Sequence, residues 1–125
     1  MLKNINKLKE AEENLRVVSV AFESKDPILI TDANANILQA NNMFLNITGY
    51  TTEEIIGKNS RMFKSERHNS DLHKNMWQQL LRAGSWRGEI RIRGSDGREV
   101  PAGVVITAVK DQQQETTHYV AIYNL

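Results

Sequence analysis

Cysteine is absent from the 125 residues, so no thiolate can serve as nucleophile, metal ligand or disulfide partner. The three histidines, His68, His73 and His118, form no His-x-x-x-His or Glu-x-x-His pair that would set two ligands on one helix face. No Gly-x-Ser-x-Gly elbow or phosphate loop occurs. Asp26, Asp32 and Glu53 stand near turns and a helix start, where carboxylates act as turn formers and caps. These residue types point away from catalysis and from a metal site. What remains is binding chemistry. Trp77 and Trp86 could stack on a flat ring or simply fill a core. A neutral imidazole at His73 could ligate an iron. Arg87, Arg91, Arg93 and Arg98 make a basic stripe that reads as a solvated sheet face. Nucleic-acid binding calls for more positive charge and exposed aromatics than 16 Lys+Arg against 15 Asp+Glu supply.

The elements that must position these side chains follow from period and punctuation. Residues 1–22 read as an amphipathic helix, with Leu8, Ala11, Leu15, Val18 and Phe22 at 3-4-3-4 spacing. So short a helix is marginal alone. It needs either its own domain body or a second copy of itself, and a homodimer through this seam is expected. Asp26-Pro27 ends it. Ile28 to Ile30 and Ile37 to Ala40 form a hairpin around the polar turn Asp32 to Asn36. Asn41 or Asn42 caps a short helix to Ile47, which Gly49 closes. Thr51 and Glu54 match a capping box, in a helix stopped by Gly57. Residues 58–68 look irregular. Asn69 or Ser70 caps a longer helix to about Ala83, closed by Gly84, with Leu72, Met76, Leu80 and Ala83 as its apolar stripe and His73 beside that stripe.

The last third reads as strand. Trp86, Gly88, Ile90 and Ile92 alternate with charged residues. Ser95-Asp96-Gly97 turns the chain into Val100 to Val109, which is apolar or small on both faces, and Tyr119 to Tyr123 follows a polar turn. Strands at both ends of the chain must share one sheet or leave edges bare. The expected fold is α+β: a five-stranded antiparallel sheet with short helices on one face. The N-terminal helix is the natural cover for the other face, against Val105 and Val109. The longest apolar run is shorter than a membrane span and the N-terminus is charged, so neither a signal peptide nor direct membrane contact is expected, and a cytoplasmic setting is favoured.

From about Phe22 to Leu125 the chain resembles the PAS family. The resemblance rests on "DPILITDANANILQANNMFLNITGYTTEEIIGKN", then "SERHNSDLHKNMWQQLLRAGSWRGEIRIRGSDGREVPAGVVITAV", then "HYVAIYNL", in that order and spacing. It implies strand order 2-1-5-4-3, a PAS domain over 23–125 preceded by the helix over 1–22, and a ligand cleft between sheet and central helices. The second segment looks most like PAS modules that precede bacterial histidine kinases or diguanylate cyclases and phosphodiesterases. The resemblance therefore implies two-component or cyclic-di-GMP signalling, with an effector domain beyond Leu125.

The cofactor remains open under this resemblance. Ser60 stands where LOV-class modules carry the cysteine that forms a flavin adduct, and a serine hydroxyl is too weakly acidic for that role. Adduct photochemistry is thereby excluded, whereas non-covalent flavin is not. Haem-binding relatives hold iron through a histidine on the long helix, at a spacing to the following glycine similar to that of His73 and Gly84. Gly103, Val105 and Thr107 stand where flavin-binding relatives carry polar contacts, which counts against flavin. Pattern and family position together nominate Ile30, Phe44, Ile55, Met62, His73, Met76, Trp77, Leu80, Trp86, Ile90, Val104 and Ile106 as cleft residues. The expected function is a sensory module that binds a small ligand there and transmits to the effector. The alternative is a ligand-free module for dimerisation and coupling.

Overall fold

The structure, a computed structural model, describes residues 22–23, 25–65 and 70–125. The helix seam over 8–22, except Phe22, and His68 lie outside these residues. The first described elements are a hairpin, β1 (Ile28–Asp32) and β2 (Ile37–Ala40). Its turn is built by one side chain: the Asp32 carboxylate accepts from the backbone N–H of Asn34 (2.8 Å) and of Asn36 (2.9 Å).

Two short helices follow. Helix α1 (Asn42–Thr48) is capped by Asn41 and closed by Gly49 at φ 77°, a left-handed conformation that glycine adopts without strain. Helix α2 (Thr52–Ile55) carries the expected capping box: Glu54 N–H donates to Thr51 Oγ1 (3.4 Å) and Thr51 N–H to Glu54 Oε1 (2.9 Å). The stretch expected to be irregular contains a 3₁₀ turn over Ser60–Phe63, nucleated by Asn59, whose side chain accepts from Arg61 N–H (3.1 Å). Helix α3 (Ser70–Ala83) follows, and β3 (Ser85–Arg93), β4 (Glu99–Lys110) and β5 (Thr116–Asn124) are the remaining strands.

The strands form one antiparallel sheet in the order β2-β1-β5-β4-β3, as expected. Register decides which side chains meet the helices, because cross-strand partners share a face. Leu29 pairs with Ala121 and Thr31 with Tyr119. Tyr123 pairs with Val104, and Val104 with Gly88. That row faces α1 and α3, and Leu29, Val104, Ala121 and Tyr123 pack there with Ile37, Phe44, Ile55, Phe63 and Ile92 as the core. The Phe44 ring meets Phe63 edge-on at 5.1 Å and Tyr123 at 5.5 Å.

The other face carries Ile30 opposite Val120, and Ile122 opposite both Ile28 and Val105. This corrects the placement of Ile30: it is half-buried on the outer face, and its neighbour Leu29 points inward. Gly103, Val105 and Thr107 also lie outward, since the inward residues of β4 are Ala102, Val104 and Ile106. Where the seam over 8–22 would pack, Val109 and Ile122 are each 42% exposed among the described residues.

Candidate functional site

Helix α3 and the sheet enclose a space that side chains do not fill. Between them is a cavity of about 360 Å³, near the lower end of ligand-pocket sizes. Its floor is sheet: Leu29 from β1, Ile90 and Ile92 from β3, Ile106 from β4, and Tyr119, Ala121 and Tyr123 from β5. Its roof is the stripe Leu72, His73, Met76, Trp77 and Leu80 of α3. Trp77 and Tyr119 meet edge-on across it, ring centres 5.3 Å apart. Burial pushes the Tyr123 phenol well above its ordinary value, so this wall is neutral.

Exposure grades the cavity from inside to outside. Leu29, Leu80 and Ile92 are at most 3% exposed, whereas Asn34, Arg61 and Lys64 are open to solvent and mark the mouth. The segment that forms this mouth is fastened at both ends. Asn59 Nδ2 donates to the Asn34 carbonyl (2.9 Å) and Ser60 N–H to the Ala35 carbonyl (2.8 Å), tying it to the hairpin turn. Downstream, Lys64 bridges the free edge of β3 at Ile92, Arg93 Nη2 donates to the Met62 carbonyl (3.3 Å), and buried Ser65 donates its hydroxyl to the Glu99 carboxylate.

Of the side chains nominated from sequence, His73, Met76, Trp77, Leu80, Ile90 and Ile106 line the cavity. Phe44, Ile55 and Val104 are buried in the core beside it, and Met62 and Trp86 are half-buried against that core. Trp86 is held away from the cavity by its own strand: its indole lies over Gly88, where an added Cβ would come within 2.5 Å of the ring. His73 sits within the lining stripe of α3 rather than beside it, and Ala83, expected in the stripe, is exposed. Sequence reasoning missed Leu29, Phe63, Tyr119, Ala121 and Tyr123, and the mouth residues Asn59, Arg61, Lys64 and Arg91. The alternation Tyr119-x-Ala121-x-Tyr123 was the available signal for β5; at the mouth, Ser60, set at the LOV cysteine position, lines the cavity beside Asn59 and Arg61, and Arg91, read as part of a solvated stripe, is half-buried in its wall.

The lining also tests the two cofactors left open. The inward side chains of β4 and β5 include no Asn or Gln, so the sheet offers a flavin ring no amide to pair with. Among the described lining residues, His73 is the one histidine that could hold a haem iron. Among the described residues, no group of three His, Asp or Glu could hold a metal ion, and no helix is long and apolar enough to cross a membrane.

A cavity roofed by α3 on a five-stranded antiparallel sheet in the order β2-β1-β5-β4-β3 is the arrangement the family resemblance implies. The family model described as "PAS domain" matches residues 25–124, and the chain belongs to the PAS family. Over 95 residues it is 36% identical to a nitrogen fixation regulatory protein of Klebsiella oxytoca, covering 76% of this chain and 19% of that protein. A hybrid signal transduction histidine kinase L of Dictyostelium discoideum is 30% identical over 118 residues, 94% of this chain and 7% of that one. The chain thus spans less than a fifth of either relative. Among solved structures, a PAS domain from Colwellia psychrerythraea superposes with a TM-score of 0.81 at 22% identity, covering 88% of this chain and 94% of its own. The LOV domain of a blue-light activated histidine kinase from Erythrobacter litoralis gives 0.71 at 17% identity, covering 80% and 94%. These likenesses establish the fold.

Proposed function

We propose that the domain senses a small organic molecule bound between α3 and the sheet, and passes its occupancy to an effector outside this chain. The observation that carries the reading is the cavity itself, bounded by Trp77 and Tyr119 and open at a fastened mouth. A protein built only for packing gains nothing from leaving such a space under its long helix, because voids forfeit dispersion contacts. Occupancy has a short route to the start of β1 and the end of β5. The floor residues Leu29 and Tyr123 lie on neighbouring strands, and Tyr123 N–H donates to the Pro27 carbonyl (2.9 Å), one residue before β1. Signalling requires that the bound molecule favour one of two arrangements of these elements.

In this reading the module regulates and does not turn over substrate. Its setting is cytoplasmic, and its partner is a histidine kinase or a cyclic-di-GMP enzyme in the same polypeptide. The regulator and kinase relatives support the first of these effectors. Flavin and haem are disfavoured occupants given the lining, although a LOV domain is among the structural neighbours.

Mass spectrometry of the purified protein after denaturation tests the proposal, together with an NMR titration using naphthalene as a neutral probe. A co-purified small molecule, or naphthalene shifts confined to Met76, Trp77 and Tyr119, is the expected result. No co-purified molecule and no naphthalene response would overturn it. A second reading, coupling through self-association without a ligand, is favoured by one observation: the exposed apolar side chains Leu38, Val109 and Ile122, each 42% exposed.

A further inference from the structure

The two edges of the sheet are built unequally. Strand β2 is short, and its pairing with β1 slips at Leu38: Ile30 pairs with Gln39 and Thr31 with Ile37, so Leu38 stands opposite no residue. Its free side is taken up at Ile37, whose N–H donates to the Lys58 carbonyl and whose carbonyl accepts from Gly57 N–H, both at 2.8 Å. A bulge and a covering loop are common devices against edge-to-edge pairing. Strand β3 has neither over most of its length. Its nine residues run against β4 in one unbroken register, from Ser85 opposite Thr107 to Arg93 opposite Glu99. Gly94 N–H donates to the Arg98 carbonyl (2.8 Å) and closes that hairpin. Antiparallel pairs alternate in bonding. Counted back from Gly94, Gly88 and Ile90 therefore bond to β4, while Arg87 and Glu89 turn their N–H and C=O groups to the free edge. Among the described residues, Lys64 bridges this edge at Ile92, and no backbone group bonds Arg87 or Glu89 from that side.

We infer that this edge pairs with the same edge of a second copy of the chain, antiparallel over Trp86–Ile90, so that Arg87 of each copy lies opposite Glu89 of the other. The inference does not rest on the cavity being a ligand site, and the contact is separate from the seam over 8–22. Charge decides the register. Arg87 and Glu89 are exposed on the outer face, one on either side of Gly88. A twofold axis at Gly88 sets two Arg–Glu pairs directly across the junction, where opposite charges stabilise and like charges destabilise. Moving the axis by one residue sets Arg87 against itself or Glu89 against itself. Moving it to Ile90 runs the second copy into the Lys64 bridge. Arginines alone would repel a second copy; Glu89, between Arg87 and Arg91, turns that repulsion into a self-matching pattern. The inner side agrees. The same register puts half-buried Trp86 opposite half-buried Ile90, an aromatic against a β-branched side chain. Gly88, on the axis, adds no side chain to hold the strands apart. So short a junction makes a small contact, with a dissociation constant on the order of 10⁻⁴ M, and it fills further where a longer assembly holds copies side by side.

The test uses the intact chain and reads sedimentation and amide hydrogen exchange between about 10 µM and about 1 mM. Over that range the sedimentation coefficient should rise, and exchange at the Arg87 and Glu89 N–H groups should slow. Arg87→Glu and Glu89→Arg should each weaken the pairing about tenfold, since each sets like charges across both halves of the junction. An equimolar mixture of the two variants should regain it, because each supplies the sign that the other lacks. The double exchange Arg87→Glu/Glu89→Arg in one chain should regain it too. Unchanged melting temperatures establish that these exposed substitutions leave the fold intact; where one does not, the concentration dependence of exchange in the intact chain decides. No rise in sedimentation, single variants that associate like the parent, or a mixture that stays apart would overturn the inference. Exchange at Arg87 and Glu89 that is slow at every concentration would assign the edge to a segment of the same chain and overturn it as well.

Discussion

At the scale of single residues, Asn41 does more than cap α1. It is fully buried and uses its whole amide. Oδ1 accepts from Ile28 N–H (2.9 Å) and Phe44 N–H (3.0 Å), and Nδ2 donates to the carbonyls of Phe22 (2.7 Å) and Asp26 (2.8 Å). One side chain thus joins the end of the N-terminal segment, the start of β1 and the start of α1. Asn41→Ala leaves those groups without their partner, two of them buried N–H donors. It should cost about 3–5 kcal/mol, read as a lowered denaturant midpoint. A loss under about 1 kcal/mol would mean that water replaces the amide. Asn41→Asp keeps both acceptor contacts but sets a carboxylate against two carbonyl oxygens, so it should also destabilise the fold. Gly88 makes a different kind of demand. Its replacement by Ala drives a methyl into the Trp86 ring, at 2.5 Å if nothing moves. The indole must swing aside at a cost of about 1–3 kcal/mol, and a red shift of Trp86 emission, measured in a Trp77→Phe background, would report it. An unshifted spectrum would mean that the backbone yields instead of the ring.

At the scale of elements, what the sequence made legible was whatever local chemistry decides. The Thr51–Glu54 box, the Asn41 cap and the glycine closures are each written within a few residues, and so they were readable. Strand order needed the family resemblance, because register depends on partners far along the chain. Two misreadings share one cause. Ile30 sits in a run apolar on both sides, so alternation cannot say which residue points inward; pairing with β5 decides for Leu29. On α3, the apolar stripe included Ala83, which is exposed, whereas His73 and Trp77, nominated for the cleft but set beside that stripe, line the cavity. Amphipathic side chains such as His and Trp can roof a half-wet cavity that Ala cannot reach. The cap and the turn also predict a pH response. Asp32 is held below its ordinary value of 3.8, chiefly by the Asn36 N–H, and Glu54 below 4.5, chiefly by the Thr51 N–H. Both carboxylates are depressed in the folded state, so the stability they contribute is fully present above their unfolded values and fades as pH falls through the folded ones. Denaturant midpoints should therefore drop on acidification below about pH 4, and the Asp32→Asn/Glu54→Gln variant should show a shallower drop. Identical acid profiles for variant and parent would assign the loss to other groups.

At the scale of the whole molecule, the two faces of the sheet are unequal. The inner face closes on helices and a cavity. The outer face shows Leu38, Val109 and Ile122 at 42% exposure among the described residues, with Ile30, Val105 and Val120 half-buried between them. A contiguous apolar surface of this kind calls for a cover in a soluble assembly. The sequence offers one at Leu8, Ala11, Leu15 and Val18, a seam whose 3-4 spacing suits pairing with a like helix as well as seating on a flat apolar sheet. The two uses make opposite predictions. If the seam joins two copies, Leu8→Asp/Leu15→Asp places charge in the middle of the pairing surface. Sedimentation should then shift from dimer to monomer at micromolar concentration, because burying unpaired carboxylates outweighs so short an apolar contact. If the seam serves only its own sheet, the same variant keeps its sedimentation coefficient while its melting temperature falls. We expect the first outcome, since a sensor that pairs through the segment fastened by Asn41 gains a direct route from its cavity wall to its partner. An unchanged coefficient with lowered stability would reassign those leucines to the domain's own outer face.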